Sequence, residues 1–325
     1  MYKVSIVIPI YNVEKYIVRC AESLFNQTLD EIQFIFVDDA SPDKSVSLLE
    51  QTLESFPQRK PHTIILHHTQ NMGLPTARAT GLAYVKAPYM AHCDSDDYVE
   101  PTMYEKLYQC AIQNDSDMVI CGRWDHRTNG RKVVIMDKPL PGKSLIYSFL
   151  YGRVSNNVWQ RLTRSDIYRR VIFPTENIYE DVVQTAQSLT FASRIFFLNE
   201  ALYHHYYRPM SLTTDNRRDM IKKRVQQGFT NFFLFHDFIM EHHLAKEEDF
   251  ILRKASILFL YLPLIGQSSA RDKYLHAFPE INFRLLISRK VPLRTKLFHL
   301  LVLLGLYPIA KDIYHKSLGC QGPDA

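Results

Sequence analysis

Short β-rich runs alternate with segments of helical periodicity through the first 125 residues, and this alternation restricts the fold more than any other feature. Val4–Ile10, Phe34–Val37, Thr63–Leu66, Tyr89–Cys93 and Asp117–Cys121 read as strands. Between them, Val13–Thr28 places Val13, Tyr16, Ile17, Cys20 and Leu24 on one helical face. Lys44–Phe56 carries Val46, Leu49 and Leu53 at the same spacing, with Ser41 or Asp43 available as a cap. Pro75–Val85 has proline in its first turn, where no N–H is needed. Pro101–Gln113 sets Tyr104, Leu107, Tyr108 and Ala111 on one side. Strand–helix–strand units of this kind predict an α/β fold with a mostly parallel, doubly wound sheet.

In such sheets ligands bind beyond the carboxyl ends of the strands, and the polar clusters of this chain fall there. Pro9-Ile10-Tyr11-Asn12 follows the first strand, and Asp38-Asp39-Ala40-Ser41-Pro42-Asp43 follows the second. Asn71-Met72-Gly73 comes shortly after the third, with Gly73 read as a turn glycine. Asp94-Ser95-Asp96-Asp97 ends the fourth. Crowding carboxylates at the end of a buried strand is costly unless a cation neutralises them. All-oxygen ligands suit Mg²⁺ or Mn²⁺, which share substrate phosphates. Alone, an Asp-x-Asp is more often a solvated acidic turn, because such triplets are frequent by accident; four clusters at four strand ends point to a metal–diphosphate site.

A chain of 325 residues suggests roughly two domains. The net charge of +5 is unevenly spread: residues 1–216 hold 22 basic against 24 acidic side chains, and residues 217–325 hold 17 against 10. An N-terminal region of that balance argues against a nucleic-acid-binding face. Five scattered cysteines (Cys20, Cys93, Cys110, Cys121, Cys320) form no C-x-x-C pair, so a zinc site or disulfide framework is not expected and a reducing compartment fits best. The apolar start at Met1 reads as a strand rather than a leader, and no stretch reaches the ~20 apolar residues that span a bilayer.

Residues 126–216 are less regular, and residues 217–325 read as Leu/Phe/Ile-rich helices. Near the end, Leu300–Ala310 is apolar and lies among Arg284, Arg289, Lys290, Arg294, Lys296, Lys311 and Lys316, with Asp312 the one acid. That pattern fits either an interfacial segment on an anionic leaflet or a helix docked on the domain.

The segments Val4–Asn12, Val37–Asp43, Asn71–Arg78 and Asp94–Asp97, in that order and spacing, resemble the family 2 glycosyltransferases of bacterial surface polysaccharide assembly, which have the GT-A fold. The resemblance covers about residues 3–215 and extends more loosely to Trp159-Gln160-Arg161-Leu162 and Glu180-Asp181. Pro42 stands where threonine is usual and Ala79 where asparagine is usual. The Q-x-x-R-W motif of processive synthases is absent, which favours one sugar per binding event.

The resemblance implies residues 1–125 as the donor half, 126–216 as the acceptor and base half of the same domain, and 217–325 as a helical, basic region. It implies a nucleotide-sugar donor, most simply a UDP-sugar, with Pro9, Tyr11, Asp39 and Asp38 at the nucleoside. Asp43 reads as a helix cap. Arg78 would meet the diphosphate or orient an aspartate. Asp96 and Asp94 would hold Mn²⁺ or Mg²⁺, with Asp97 assisting or contacting the acceptor and His205 completing the metal shell. Asp181, with Glu180 as the second choice, would act as general base for an inverting transfer. Trp159 would stack on the acceptor sugar. His204, His205 and Arg208 would close over the diphosphate, with Ser211 and Thr213 in the same loop. The implied acceptor is a glycan or lipid-linked hydroxyl and the transferred unit a hexose or N-acetylhexosamine. The implied location is cytoplasmic, at the inner face of the membrane, with a homodimer also compatible. Two other readings remain: a nucleotidyltransferase, against which stands the lack of a Gly-rich triphosphate loop, and a catalytically silent nucleotide-sugar-binding protein.

Overall fold

The computed structural model describes residues 1–306 and 309, save 128, 209, 210, 212–214, 216, 265–267 and 290. Thr213, Lys290, Lys311, Asp312, Lys316 and Cys320 therefore lie outside the described residues.

Strand β1 (Val4–Ile10) is buried along its whole length, as its apolar sequence requires of a strand covered on both faces, and its one polar residue, Ser5, donates to Gln33 Oε1 at 2.6 Å. It pairs in parallel with β2 (Ile32–Asp38), which pairs in parallel with β3 (Thr63–His67). On its other side β1 pairs in parallel with β4 (Tyr89–His92). The crossovers are α1 (Ile17–Phe25), which buries Ile17, Cys20, Ala21 and Leu24 as one stripe, α2 (Ser45–Glu54) and α3 (Leu74–Leu82). After β4 come β5 (Tyr98–Val99), α4 (Met103–Gln113), β6 (Met118–His126) and β7 (Lys132–Ile135). The chain continues through α5 (Leu145–Leu150), β8 (Arg161–Arg164), α6 (Ser165–Tyr168), α7 (Glu180–Phe191) and β9 (Ile195–Tyr206).

The strands form one sheet in the order β3-β2-β1-β4-β8-β6-β9-β5, with β7 on β6. β8 is inserted antiparallel between β4 and β6, so β6 still runs in the direction of β4, and β9 runs parallel to β6. The mostly parallel α/β expectation holds, but β7, β8 and β9 were not readable from the sequence.

The remaining helices are α8 (Arg218–Glu241), α9 (Ile251–Leu258), α10 (Ser268–Ala277), α11 (Ile281–Ile287) and α12 (Leu293–Leu303). One apolar core lies between the sheet and α1 and α4. A second joins Phe149 of α5 and Val183 of α7 to Phe235 of α8, Leu258 of α9, Leu285 of α11 and Val302 of α12. The C-terminal helices are thus packed onto the region that carries Glu180 and Asp181. Cys20, Cys93, Cys110 and Cys121 are buried free thiols. Among the described residues no helix is long and apolar enough to cross a membrane.

Candidate active site

The four strand-end clusters meet in one cavity of about 610 Å³. Pro9 and Tyr11 enter from the end of β1, Asp39 from that of β2, Gly73 from the β3–α3 connection, Arg78 from α3, and Asp94–Asp97 from the end of β4. The opposite wall comes from Asn156–Trp159, Asn177–Asp181 and His205–Arg208, with Lys223 of α8 at the rim.

The acidic triplet converges as its sequence suggested. Carboxylate oxygens of Asp94, Asp96 and Asp97 all lie within 4.8 Å of one another. Asp97 is the deepest, 1 % exposed, and both its oxygens are engaged: Tyr203 Oη donates to Oδ2 at 2.9 Å and the Tyr206 amide donates to Oδ1 at 2.8 Å. Burial next to Asp96 and Asp94 pushes its carboxyl well above the usual range. Asp97 therefore anchors the triplet to β9 while still lining the cavity. Asp96 is raised by burial, opposed by the Arg208 guanidinium, whose Nε lies 2.5 Å from Asp96 Oδ2. Three converging carboxylates, with the negative charge of Asp96 and Asp97 penalised by burial, form a hard oxygen donor set that fits Mg²⁺ or Mn²⁺.

Arg78 links this triplet to the base candidates. Its side chain is fully buried, its Nη2 donates to Asp94 Oδ1 at 2.7 Å, and its Nη1 donates to Glu180 Oε1. Glu180 also accepts from Gln184 Nε2. Both Glu180 oxygens are thereby committed, and burial raises its pKa to about 7 against the pull of Arg78. Asp181 lines the cavity beside it, and burial raises its pKa to about 6, again opposed by Arg78. Both acids line the cavity, and Glu180 alone is joined directly to Arg78.

The loop before these acids is held from α8. Asn231, fully buried, donates through Nδ2 to the carbonyls of Glu176 and Ile178, each at 2.8 Å. Tyr179 adopts φ 61°, a left-handed conformation that costs a non-glycine residue energy unless its surroundings fix it. Gly228 of α8 leaves room for it: a Cβ there would stand 3.2 Å from Tyr179 Cδ2 and 2.6 Å from Leu260 Cδ1. Asn177 completes the brace by accepting from the Leu74 amide at 2.8 Å.

At the donor end, Asp39 accepts from His68 Nδ1 and the Met72 amide, each at 2.7 Å, and from the Gly73 amide at 2.8 Å. It clamps the Asn71–Gly73 turn while lining the cavity. Asp38 does not join it: its carboxylate is spent on the Ser41 amide and His67, so its nucleoside role is not supported by its placement. Asp43 accepts from the Ser45 amide at 3.1 Å, but the N-cap position of α2 is Lys44 and carries no side-chain cap, so Asp43 braces the turn before the helix and is not its cap. Trp159 is 5 % exposed, with its ring stacked on Tyr203 at 4.0 Å and on His205 at 5.5 Å. It lines the cavity but is otherwise enclosed, so little of its ring is open for stacking on an acceptor sugar. His205 lines the cavity, its Nδ1 3.3 Å from Asp125 Oδ1. His204 is turned away, bonded to His126 Nε2 at 2.9 Å and Glu100 Oε1 at 2.7 Å.

Asn177, Lys223 and Asn231 were not singled out from the sequence. Each sits on an unremarkable polar position, and only the packing of α8 against the 176–181 loop gives it a place.

The glycosyl transferase family 2 model matches residues 5–173. A curated relative, the uncharacterized glycosyltransferase EpsJ of Bacillus subtilis, is 30% identical over 250 residues, covering 72% of this chain and 70% of its own. TarS of S. aureus, crystallised as residues 1–349 with UDP, superposes with a TM-score of 0.55 at 16% identity, over 99% of this chain and 93% of that one. The mannosyltransferase PcManGT of Pyrobaculum calidifontis, in complex with GDP-Man and Mn²⁺, gives 0.55 at 14% identity, over 96% and 87%. The last two are likenesses of fold.

Proposed function

Since this chain belongs to glycosyl transferase family 2, we propose that it moves a sugar from a UDP-sugar to a hydroxyl of a glycan or lipid-linked acceptor, in one inverting, metal-dependent step. The observation that carries this is the Arg78 bridge, which places the acidic triplet and the Glu180–Asp181 pair in one cavity and leaves Asp181 facing it. The UDP bound by TarS and the Mn²⁺ bound with GDP-Man by PcManGT support the donor class and the metal.

Pro9, Tyr11 and Asp39 receive the nucleoside. Asp94 and Asp96 hold Mn²⁺ or Mg²⁺, with the His205 imidazole nearby as a further ligand. When bound, the cation neutralises the charge that builds on the departing diphosphate. Arg208 lies alongside Asp96, where its charge reaches the same phosphates. The acceptor oxygen attacks the anomeric carbon from the face opposite the diphosphate. Asp181 takes the hydroxyl proton, the new C–O bond forms, and the bond to the diphosphate breaks with its electron pair leaving on UDP. One displacement inverts the anomeric centre. The lack of a Q-x-x-R-W motif favours release of product after each transfer, and the family supports a place in surface polysaccharide or glycolipid assembly.

The test is UDP release from a panel of UDP-sugars with soluble acceptors. The wild-type chain releases UDP only with Mn²⁺ or Mg²⁺ present, and Asp96→Ala, with an unchanged circular-dichroism spectrum, does not. Undiminished turnover by Asp96→Ala would remove the metal assignment.

A further inference from the structure

We propose that α11 and α12 form a docking face for an anionic lipid bilayer. Leu293, Leu297, Leu300 and Leu304 recur every three or four residues along one side of α12, which places them in one stripe. They are 81, 44, 39 and 62 % exposed. Phe283 and Ile287, one turn apart on α11, are 70 and 60 % exposed. The opposite sides of the same helices, at Ile281, Leu285, Phe298 and Val302, are buried in the second core. The helices are thus fixed to the protein by one face and present the other, apolar, to solvent. A single exposed leucine needs no explanation; a two-helix strip of large apolar side chains does.

Charge identifies what covers it. Arg284, Arg289 and Arg294 are exposed beside the strip, and Lys296 is half-buried there. Between Glu280 and Asp312 the sequence holds no acid, and Glu280 is taken by Lys254 Nζ at 2.5 Å. A second copy of this face would bring like charges together around the apolar contact. An anionic leaflet supplies both missing elements, hydrocarbon for the leucines and phosphate headgroups for the cations. At about 1.5 Å per residue α12 is far shorter than the ~30 Å hydrocarbon core, so it lies in the interface plane and does not span it. The sequence run Leu300–Ala310 is accordingly divided: Val302 belongs to the protein core, and Leu300 and Leu304 to the bilayer side.

This inference stands on surface chemistry and needs no nucleotide, so it fails or succeeds apart from the transferase reading; if both hold, the face brings the cavity to lipid-linked acceptors. The experiment is co-sedimentation of the full chain with vesicles of equimolar phosphatidylglycerol and phosphatidylcholine, against pure phosphatidylcholine. Binding to the anionic vesicles is expected to be at least about tenfold tighter and to weaken with salt. Leu293→Asp with Leu297→Asp is expected to reduce it by at least about tenfold. Arg289→Gln with Arg294→Gln is expected to cost roughly fivefold per cation at low salt. Both double variants keep the wild-type melting temperature and soluble-acceptor transfer. No sedimentation with anionic vesicles, or equal sedimentation of the variants, would overturn the proposal. So would a dimer in light scattering that the leucine variants dissolve while vesicle binding stays absent.

Discussion

Replacing Arg78 by methionine tests the bridge on which the site is built. The substitution keeps an unbranched side chain in a fully buried position and deletes the partner of both Asp94 and Glu180. Removing one member of a buried ion pair leaves the other charge uncompensated, at a cost of about 3–5 kcal/mol. Glu180 can escape part of that by taking a proton. Its folded pKa, about 7 with Arg78 present, rises further without it. A carboxyl whose folded pKa exceeds its unfolded value near ~4.3 contributes stability below that unfolded value, and the contribution is lost as pH rises through the folded pKa. The part of the loss that comes from Glu180 is therefore small at about pH 5, where Glu180 is protonated in both proteins, and grows through pH 7 and above, on top of a part from Asp94 that is present at both pH values. Urea unfolding at about pH 5 and about pH 8, followed by circular dichroism, reads the difference. Adding Glu180→Gln to the methionine variant is expected to recover much of the loss at the higher pH, because an amide needs no counter-charge. A loss that is equal at both pH values and untouched by Glu180→Gln would refute the reasoning and reduce Arg78 to packing.

Asp181→Asn is expected to keep donor KM and lower kcat by about 10²–10⁴; in the wild type, transfer falls as pH drops through about 6, where Asp181 becomes protonated and can no longer accept a proton, and a pH–rate profile with no such limb would move the base elsewhere. Gly73 has φ 93°, and a Cβ there would stand 2.5 Å from Asn177 Oδ1. Gly73→Ala is therefore expected to cost about 1–3 kcal/mol and to weaken nucleotide binding, measured by thermal unfolding and titration calorimetry. Asn231→Leu leaves two loop carbonyls without their donor and is expected to lose about 1–3 kcal/mol for each. Its kcat should fall more than its nucleotide affinity, and an unaltered kcat would separate α8 from the placement of Asp181.

The donor half was legible because its determinants are local. Strand β1 is apolar but for Ser5, α1 has one clean stripe, and each polar cluster follows its strand within a few residues. The second half depends on partners far apart in the chain. β8 reads Arg-Leu-Thr-Arg and is a strand only because β4 and β6 offer it two edges; Arg161 is buried there by bonding Thr185 and the Ser155 carbonyl. β9 mixes Asn199, Glu200, two histidines and four Phe or Tyr residues with aliphatic ones, so no alternation survives. The Arg78–Glu180 pair spans 102 residues, which no local pattern encodes. The triplet itself was found from charge density alone, yet its division of labour was not: Asp97 resembles its neighbours in sequence and differs by the two β9 groups that bond it.

Thermal unfolding with uridine and other nucleotides, with and without Mn²⁺, tests the central claim most directly. A ligand that binds only the folded chain raises its stability in proportion to RT ln(1 + [L]/Kd). UDP and Mn²⁺ together are expected to raise the melting temperature, each alone to do little, and Asp96→Ala to abolish the joint effect. No shift with any nucleotide, or a UDP shift indifferent to metal and to Asp96, would contradict a metal–diphosphate site at Asp94–Asp97.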